Sequence, residues 1–170
     1  MDLRRFTKHD IPELFSWFET ERDVLQWAGA GLSWPLYRRA FVDLLKQGET
    51  KELWAVDADG KMIGHFQITL NRRLQTAGLG RLALAPAARG LGRAAPFMDL
   101  ILHRAFSHIW VHRVDLLVYS HNAPAIAAYR AAGFTLEGTR RETTPFETER
   151  WDTLIMSILR YEFDKRTERE

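Results

Sequence analysis

Residues Pro86 to Pro96 read PAARGLGRAAP, with two glycines and two arginines between a run of small apolar residues and a segment of helical periodicity. Unpaired N–H groups at a helix start, together with the helix dipole, favour an anion there. Glycine lets a bound group approach the backbone without meeting a Cβ. Holding phosphate is therefore the chemistry this turn offers. Farther on, Asn122 and Tyr129 lie at the start and on the face of a second helical segment, NAPAIAAYRAAG, closed by Gly133. A tyrosine phenol, of pKa about 10, is a candidate proton donor.

The glycine turn has decoys. Gly90 to Ala95 and Gly78 to Ala83 both satisfy a relaxed G-x-G-x-x-A dinucleotide pattern. That fold needs an acidic residue at the end of the next strand for the ribose hydroxyls. Here the strand ends in Tyr119-Ser120-His121, and no Gly-Lys-Ser/Thr follows to make a Walker loop. Ser33 lacks the G-x-S-x-G frame of a hydrolase nucleophile. His108 and His112 have i,i+4 spacing but straddle the end of a helix and the start of a strand, so no metal site is expected.

Read instead as R-x-x-G-x-A, the stretch Arg89-Gly90-Leu91-Gly92-Arg93-Ala94 resembles motif A of the GNAT superfamily of N-acetyltransferases. The later segment His121 to Glu142, with Asn122, Tyr129 and Gly133-Phe134 followed by Glu137-Gly138, is similar to the same family's RimJ/RimL-like branch. The resemblance implies an acetyl-CoA-dependent enzyme that moves an acetyl group to a primary amine, by direct attack in a ternary complex. The acceptor would be a protein N-terminus or a small-molecule amine. The alternative is a coenzyme-A-binding sensor or interaction module of the same fold that does not turn over.

The resemblance also distributes roles. Backbone N–H groups of Leu91 to Ala94, with Arg89 and Arg93, would meet the pyrophosphate. N–H groups around Leu82, Ala83 and Leu84 would polarise the thioester carbonyl. Asn122 would bond the pantetheine amide as well as cap its helix. Tyr129 would protonate the leaving thiolate. Some family members place a glutamate on the strand before the loop as a base, but AGLGRLALAP holds no carboxylate. His65, Glu142, Glu147 and Glu149 are the substitutes to examine. An amine of pKa about 10.4 is roughly 4–5 kcal/mol from its neutral form at pH 7, against about 1 for an α-amine near pKa 8. Trp27, Trp34 and Tyr37 surround two glycines in ERDVLQWAGAGLSWPLY and could line the acceptor end as an aromatic lid or simply complete the core.

These groups need a scaffold, and the rest of the 170 residues describes one. The pattern reads as a short strand at Leu3 to Phe6, a helix from IPELFSWFETE, and a second helix from Leu36 to Gln47 closed by Gly48. Two strands then flank the hairpin signal Asp59-Gly60, and a third runs to Pro86. After the glycine turn come a helix from Ala94 to Phe106, the buried strand RVDLLVYS, the Asn122 helix, the strand FTLEGTRRE, and a last strand RWDTLIMSILRYEF. One α/β domain over residues 1–170 is expected: a mixed, mostly antiparallel twisted sheet flanked by helices. The strands around Leu82 and Leu116 would run parallel and splay to admit the pantetheine.

Composition narrows the partners. Hydrophobic residues are 46% and charged residues 27%, as in ordinary globular chains, and the formal net charge is only +2. Scattered arginines such as Arg140-Arg141 in so balanced a chain favour a solvated surface over nucleic-acid binding. No apolar run approaches the ~18 residues that span a bilayer. The absence of cysteine excludes a disulfide scaffold and a thiolate nucleophile. No membrane partner and a cytoplasmic location are the default reading. The run TLIMSIL leaves monomer and homodimer open.

Overall fold

The structure is a computed structural model and describes residues 1–46 and 50–168. Seven strands form one sheet in the order β1-β2-β3-β4-β5-β7-β6. They are β1 (Asp2–Arg5), β2 (Thr50–Ala58), β3 (Lys61–Asn71), β4 (Thr76–Leu84), β5 (Arg113–Tyr119), β6 (Thr135–Phe146) and β7 (Glu149–Leu159). All neighbours are antiparallel except β4 and β5, the parallel pair at the centre. Asp59 and Gly60, with φ of 53° and 74°, turn β2 into β3 as the sequence indicates.

Six helices cover the sheet: α1 (Ile11–Phe15), α2 (Glu21–Ala28), α3 (Arg38–Leu45), α4 (Ala94–Phe106), α5 (Ala123–Ala131) and α6 (Arg160–Thr167). One face packs Phe97, Ile101, Leu102 and Ala105 of α4 against Phe66, Ile68, Val114, Leu116, Met156 and Ile158 of the strands. On the first half of the other face, Leu14, Val24, Trp27 and Phe41 of α1 to α3 close over Ala55 and Met62. The strands alternate accordingly: Phe66 and Ile68 enter the α4 side, while His65, Gln67 and Thr69 point to the other.

Two elements differ from the sequence reading. The segment IPELFSWFETE does not continue as one helix. It stops at Phe15, and α2 starts afresh where Thr20 and Asp23 form a reciprocal cap, the Thr20 hydroxyl accepting from the Asp23 N–H at 3.2 Å. A cap of this kind is worth about 1 kcal/mol. At the C-terminus, the strand ends at Leu159 rather than running on to Phe163. Arg160 donates to the carbonyls of Phe106, His108 and Val111, and Phe163 stacks on Phe106 at 4.7 Å. Those bonds turn the chain into α6, which shields the end of α4. Of the second expected helix, α3 covers Arg38 to Leu45, and its closure at Gln47-Gly48 lies outside the described residues.

Beyond α3, the elements follow the expected order. The edge strand β6 is irregular: its register shifts at Leu136/Gly138 and again at Arg140/Thr144, and it carries Arg140, Arg141, Glu142 and Pro145.

Candidate active site

The central parallel pair is joined only from Thr76↔Arg113 to Leu79↔Leu116. Beyond that point β4 stays with β3 through Ala83↔His65 and Leu84↔Gly64, while β5 stays with β7 as far as Tyr119↔Thr153. The two strands therefore diverge, and N–H groups that Gly80 to Leu84 turn toward β5 have no strand partner. The cause is local. Gly80 and Ala83 pair with Gln67 and His65, so Arg81 and Leu82 together face Phe66 in a bulge. Arg81 is left-handed there, with φ of 51°.

A left-handed arginine is held only if its surroundings insist on it. Two donors converge on its carbonyl: the Trp27 indole N–H at 3.0 Å and His65 Nδ1 at 2.9 Å. His65 is fully buried, its ring lies edge-on to Phe6 at 4.7 Å, and Nε2 has no partner. Burial pulls its pKa down to about 4, so near neutral pH the ring is uncharged with its proton on Nδ1.

At the divergence lies a cleft of about 580 Å³. Gln26 to Gly29 of α2 form one wall, Gly78 to Leu82 and Asp115 to Tyr119 the floor, and Asn122, Ala125 and Tyr129 the side next to α5. Arg140, Thr143, Thr144 and Thr153 complete it, with Tyr119 bonded to Thr144 at 3.1 Å. Helix α2 is tied across the opening by the Arg22–Glu149 ion pair at 2.7 Å and by the His121–Gln26 hydrogen bond at 3.2 Å.

Of the residues singled out in the sequence, Leu82, Asn122, Tyr129 and Trp27 line this cleft. Asn122 accepts from the Ala125 N–H at 3.3 Å and so caps α5. Tyr129 packs beside Phe134, and burial raises its phenol to about 12, which keeps it protonated at any physiological pH. Ala83 and Leu84 continue β4 beyond the bulge without lining the cleft.

The turn from Arg89 to Ala94 stands apart from the cleft lining. Gly90 and Gly92 have φ of 72° and 71°, and a Cβ at either would meet nothing within 4 Å. Helix α4 follows with Arg93 as its first flanking residue and no side-chain cap. Arg89 donates from Nε to the Leu84 carbonyl at 3.0 Å, and Arg93 lies 4.0 Å from Asp59. Open backbone with an uncapped thirteen-residue helix behind it suits a diphosphate.

Other expectations require correction. Trp34 is 42% exposed and Tyr37 63%, and neither lines the cleft, so the aromatic lid reduces to Trp27, itself buried and stacked on Phe18 at 4.4 Å. His65 does not line the cleft; it supports the bulge from within the core. Glu142, in the irregular stretch of β6, and Glu147, in the β6–β7 turn, are exposed and left-handed, and Glu149 is committed to Arg22 and Trp151. The carboxylate that does line the cleft is Asp115, which the sequence reading passed over inside an apparently buried strand. Burial pushes its carboxyl up, against the pull of Arg113 at 3.4 Å. The alternation of Val114, Leu116 and Val118 with Asp115, Leu117 and Tyr119 was the available signal.

Comparison with known proteins agrees with this geometry. Residues 11–134 match the model of the Acetyltransferase (GNAT) family, and the chain belongs to that family. It is 28% identical over 123 residues to a mycothiol acetyltransferase of Corynebacterium glutamicum (strain R), covering 71% of this chain and 40% of that protein. It is 29% identical over 86 residues to the L-amino acid N-acetyltransferase AaaT of Escherichia coli (strain K12), covering 49% of this chain and 53% of that protein. The chain thus spans about half the length of these curated relatives or less. In fold it matches the spermidine N-acetyltransferase of Vibrio cholerae, solved in complex with CoA and spermine, with a TM-score of 0.81 at 20% identity over 95% of this chain and 96% of that one. A ribosomal-protein-alanine N-acetyltransferase from Brucella melitensis gives 0.72 at 18% identity, over 94% and 99%. The fold is that of GNAT enzymes.

Proposed function

We propose that residues 1–170 work as one N-acetyltransferase domain that transfers an acetyl group from acetyl-CoA to a primary amine. The observation that carries this is the wedge between β4 and β5, with unpartnered backbone N–H groups on one side and Tyr129 on the other. Bound acetyl-CoA would supply an activated thioester. Backbone N–H groups of Leu91 to Ala94 hold the diphosphate, aided by Arg89 and Arg93 once these release Leu84 and Asp59. The bulged stretch at Leu82 presents N–H groups to the thioester oxygen, where they stabilise charge only as it develops. Asn122 serves the pantetheine amide while capping α5. Tyr129 keeps its proton until the C–S bond breaks and then gives it to the sulfur. The acceptor nitrogen forms the new C–N bond and sheds a proton to water, and solvent returns a proton to the Tyr129 phenolate.

The relatives are named for mycothiol, L-amino acids, spermidine and a ribosomal protein's alanine. A small-molecule amine and a protein N-terminus are therefore both within reach of this architecture, and the RimJ/RimL-like resemblance is kept for the second. Thioester consumption by the purified protein with acetyl-CoA and pooled amines tests the proposal, and acetylated amine must appear in the mass spectrum. Tyr129→Phe should then lower kcat about a hundredfold while CoA binding is unchanged. Coenzyme binding without turnover of any amine would instead favour a sensor of the same fold.

A further inference from the structure

Seven arginines in the described residues are part-buried: Arg4, Arg81, Arg93, Arg104, Arg113, Arg160 and Arg166. Six of them face a carboxylate or, for Arg160, several carbonyl acceptors. Arg4, Arg93, Arg104, Arg113 and Arg166 face Asp10, Asp59, Glu52, Glu137 and Asp99, and Arg160 is spread over three backbone carbonyls. Arg81 is the exception. Its one side-chain partner among the described residues is neutral, the Gln67 amide oxygen at 2.6 Å from Nη1. Its Nε is shut away from solvent with no acceptor.

Arg81 is among the residues lining the cleft, and its partner Gln67 is itself held by a bond from Nε2 to Oγ1 of Thr69, another lining residue, at 2.9 Å. Desolvation pulls the Arg81 pKa down, and no carboxylate pairs with it among the described residues. Arg140 adds a second guanidinium to the same cleft from β6, exposed and without an ion pair among the described residues. The one acidic residue in the lining, Asp115, is already engaged with Arg113.

We propose that Arg81, with Arg140 in the same cleft, forms an anion subsite that selects an acceptor carrying a carboxylate within a few bonds of its amine. The inference deepens the acetyltransferase reading and rests on it. A planar guanidinium meets a carboxylate with two parallel N–H bonds and is itself relieved of an uncompensated charge. A linear polycation would bring further ammonium groups toward two arginines, which costs affinity rather than adding it. Matching the spermidine acetyltransferase in fold therefore does not carry over its acceptor class.

The experiment follows thioester consumption with acetyl-CoA and three acceptor sets: pooled L-amino acids, the corresponding pooled carboxamides, and spermidine. The acids should exceed the carboxamides in kcat/KM by about tenfold or more, because an amide leaves the guanidinium unpaired. Arg81→Gln should remove that preference, and Arg81→Lys should retain part of it, since the charge stays while the fork is lost. Arg140→Gln, at an exposed position of β6, should reduce it by a smaller factor. Carboxamides or spermidine turned over as well as the acids by the unmodified protein, or an unchanged preference in both glutamine variants, would overturn the proposal while leaving an acetyltransferase standing. If no amine is acetylated, thermal melting of the CoA-loaded protein decides. A rise in Tm with the acids, absent with carboxamides and lost in Arg81→Gln, supports the subsite without the enzyme; no rise removes both.

Discussion

The turn at Gly90 to Gly92 and the bulge at Arg81 lie within about a dozen residues of one another, and both need left-handed backbone. They reach it by opposite means. At the turn the residue type supplies the conformation: glycine accepts positive φ without strain, no contact holds it, and the space around it is open. At the bulge the residue resists, since a non-glycine left-handed residue costs about 1–2 kcal/mol, and the surroundings supply the conformation through Trp27 and His65. A flexible phosphate chain is served by the first arrangement. A fixed row of N–H groups at a reacting carbon needs the second.

The sharpest way to break the contrast is at the free turn. Gly92→Trp places a bulky side chain at φ of 71° in the space the diphosphate would occupy, and coenzyme binding should fall below detection in a calorimetric titration. Binding within tenfold of the unmodified protein would move the diphosphate elsewhere.

Of these two regions, the pinned one is sensitive to acid. His65 has a folded pKa of about 4 against 6.5 unfolded, so the unfolded chain binds the extra proton first as pH falls. Its contribution to stability is complete above pH 6.5 and is lost progressively down to pH 4, by up to about 3 kcal/mol. Denaturant unfolding across that range should show the slope, and His65→Phe should flatten it. A slope unchanged by the substitution would assign the acid sensitivity to other groups.

A smaller effect is expected where only one bond is removed. Trp27→Phe keeps a ring over the cleft but loses the N–H to the Arg81 carbonyl, worth about 0.5–1.5 kcal/mol. We expect kcat/KM to fall three- to tenfold while CoA affinity holds, because the hydrogen bond removed ends on the Arg81 carbonyl and not on the Arg89 to Ala94 turn. A matching loss of CoA affinity would show that the two left-handed sites are mechanically one.

The contrast also explains what could be read from residues alone. Glycines spell out their conformation, so the left-handed turn at Gly90 and Gly92 and the Asp59-Gly60 hairpin were legible, as was the Asn122 cap. Arg81 was not, because no residue type announces a bulge that is imposed by an indole 54 positions earlier and an imidazole 16 positions earlier. His65 illustrates the converse: an imidazole is chemically able to be a base anywhere, and only its full burial reveals a supporting role. Asp115 escaped notice because its strand looks uniformly apolar until one face is seen to be open. The break between α1 and α2 was written in Thr20 and Asp23, a cap with aspartate in the place where glutamate is the familiar signal.

Strand β6 bears on a different risk. Twelve residues long and at the edge of the sheet, it would offer a template for another chain's strand if it were flat. Two register shifts bend it, Pro145 withholds a donor, and Arg140-Arg141-Glu142 put charge where a neighbouring backbone would have to lie. The irregular stretch that holds Arg140, a residue of the cleft lining, thus also discourages edge-to-edge addition of another chain's strand.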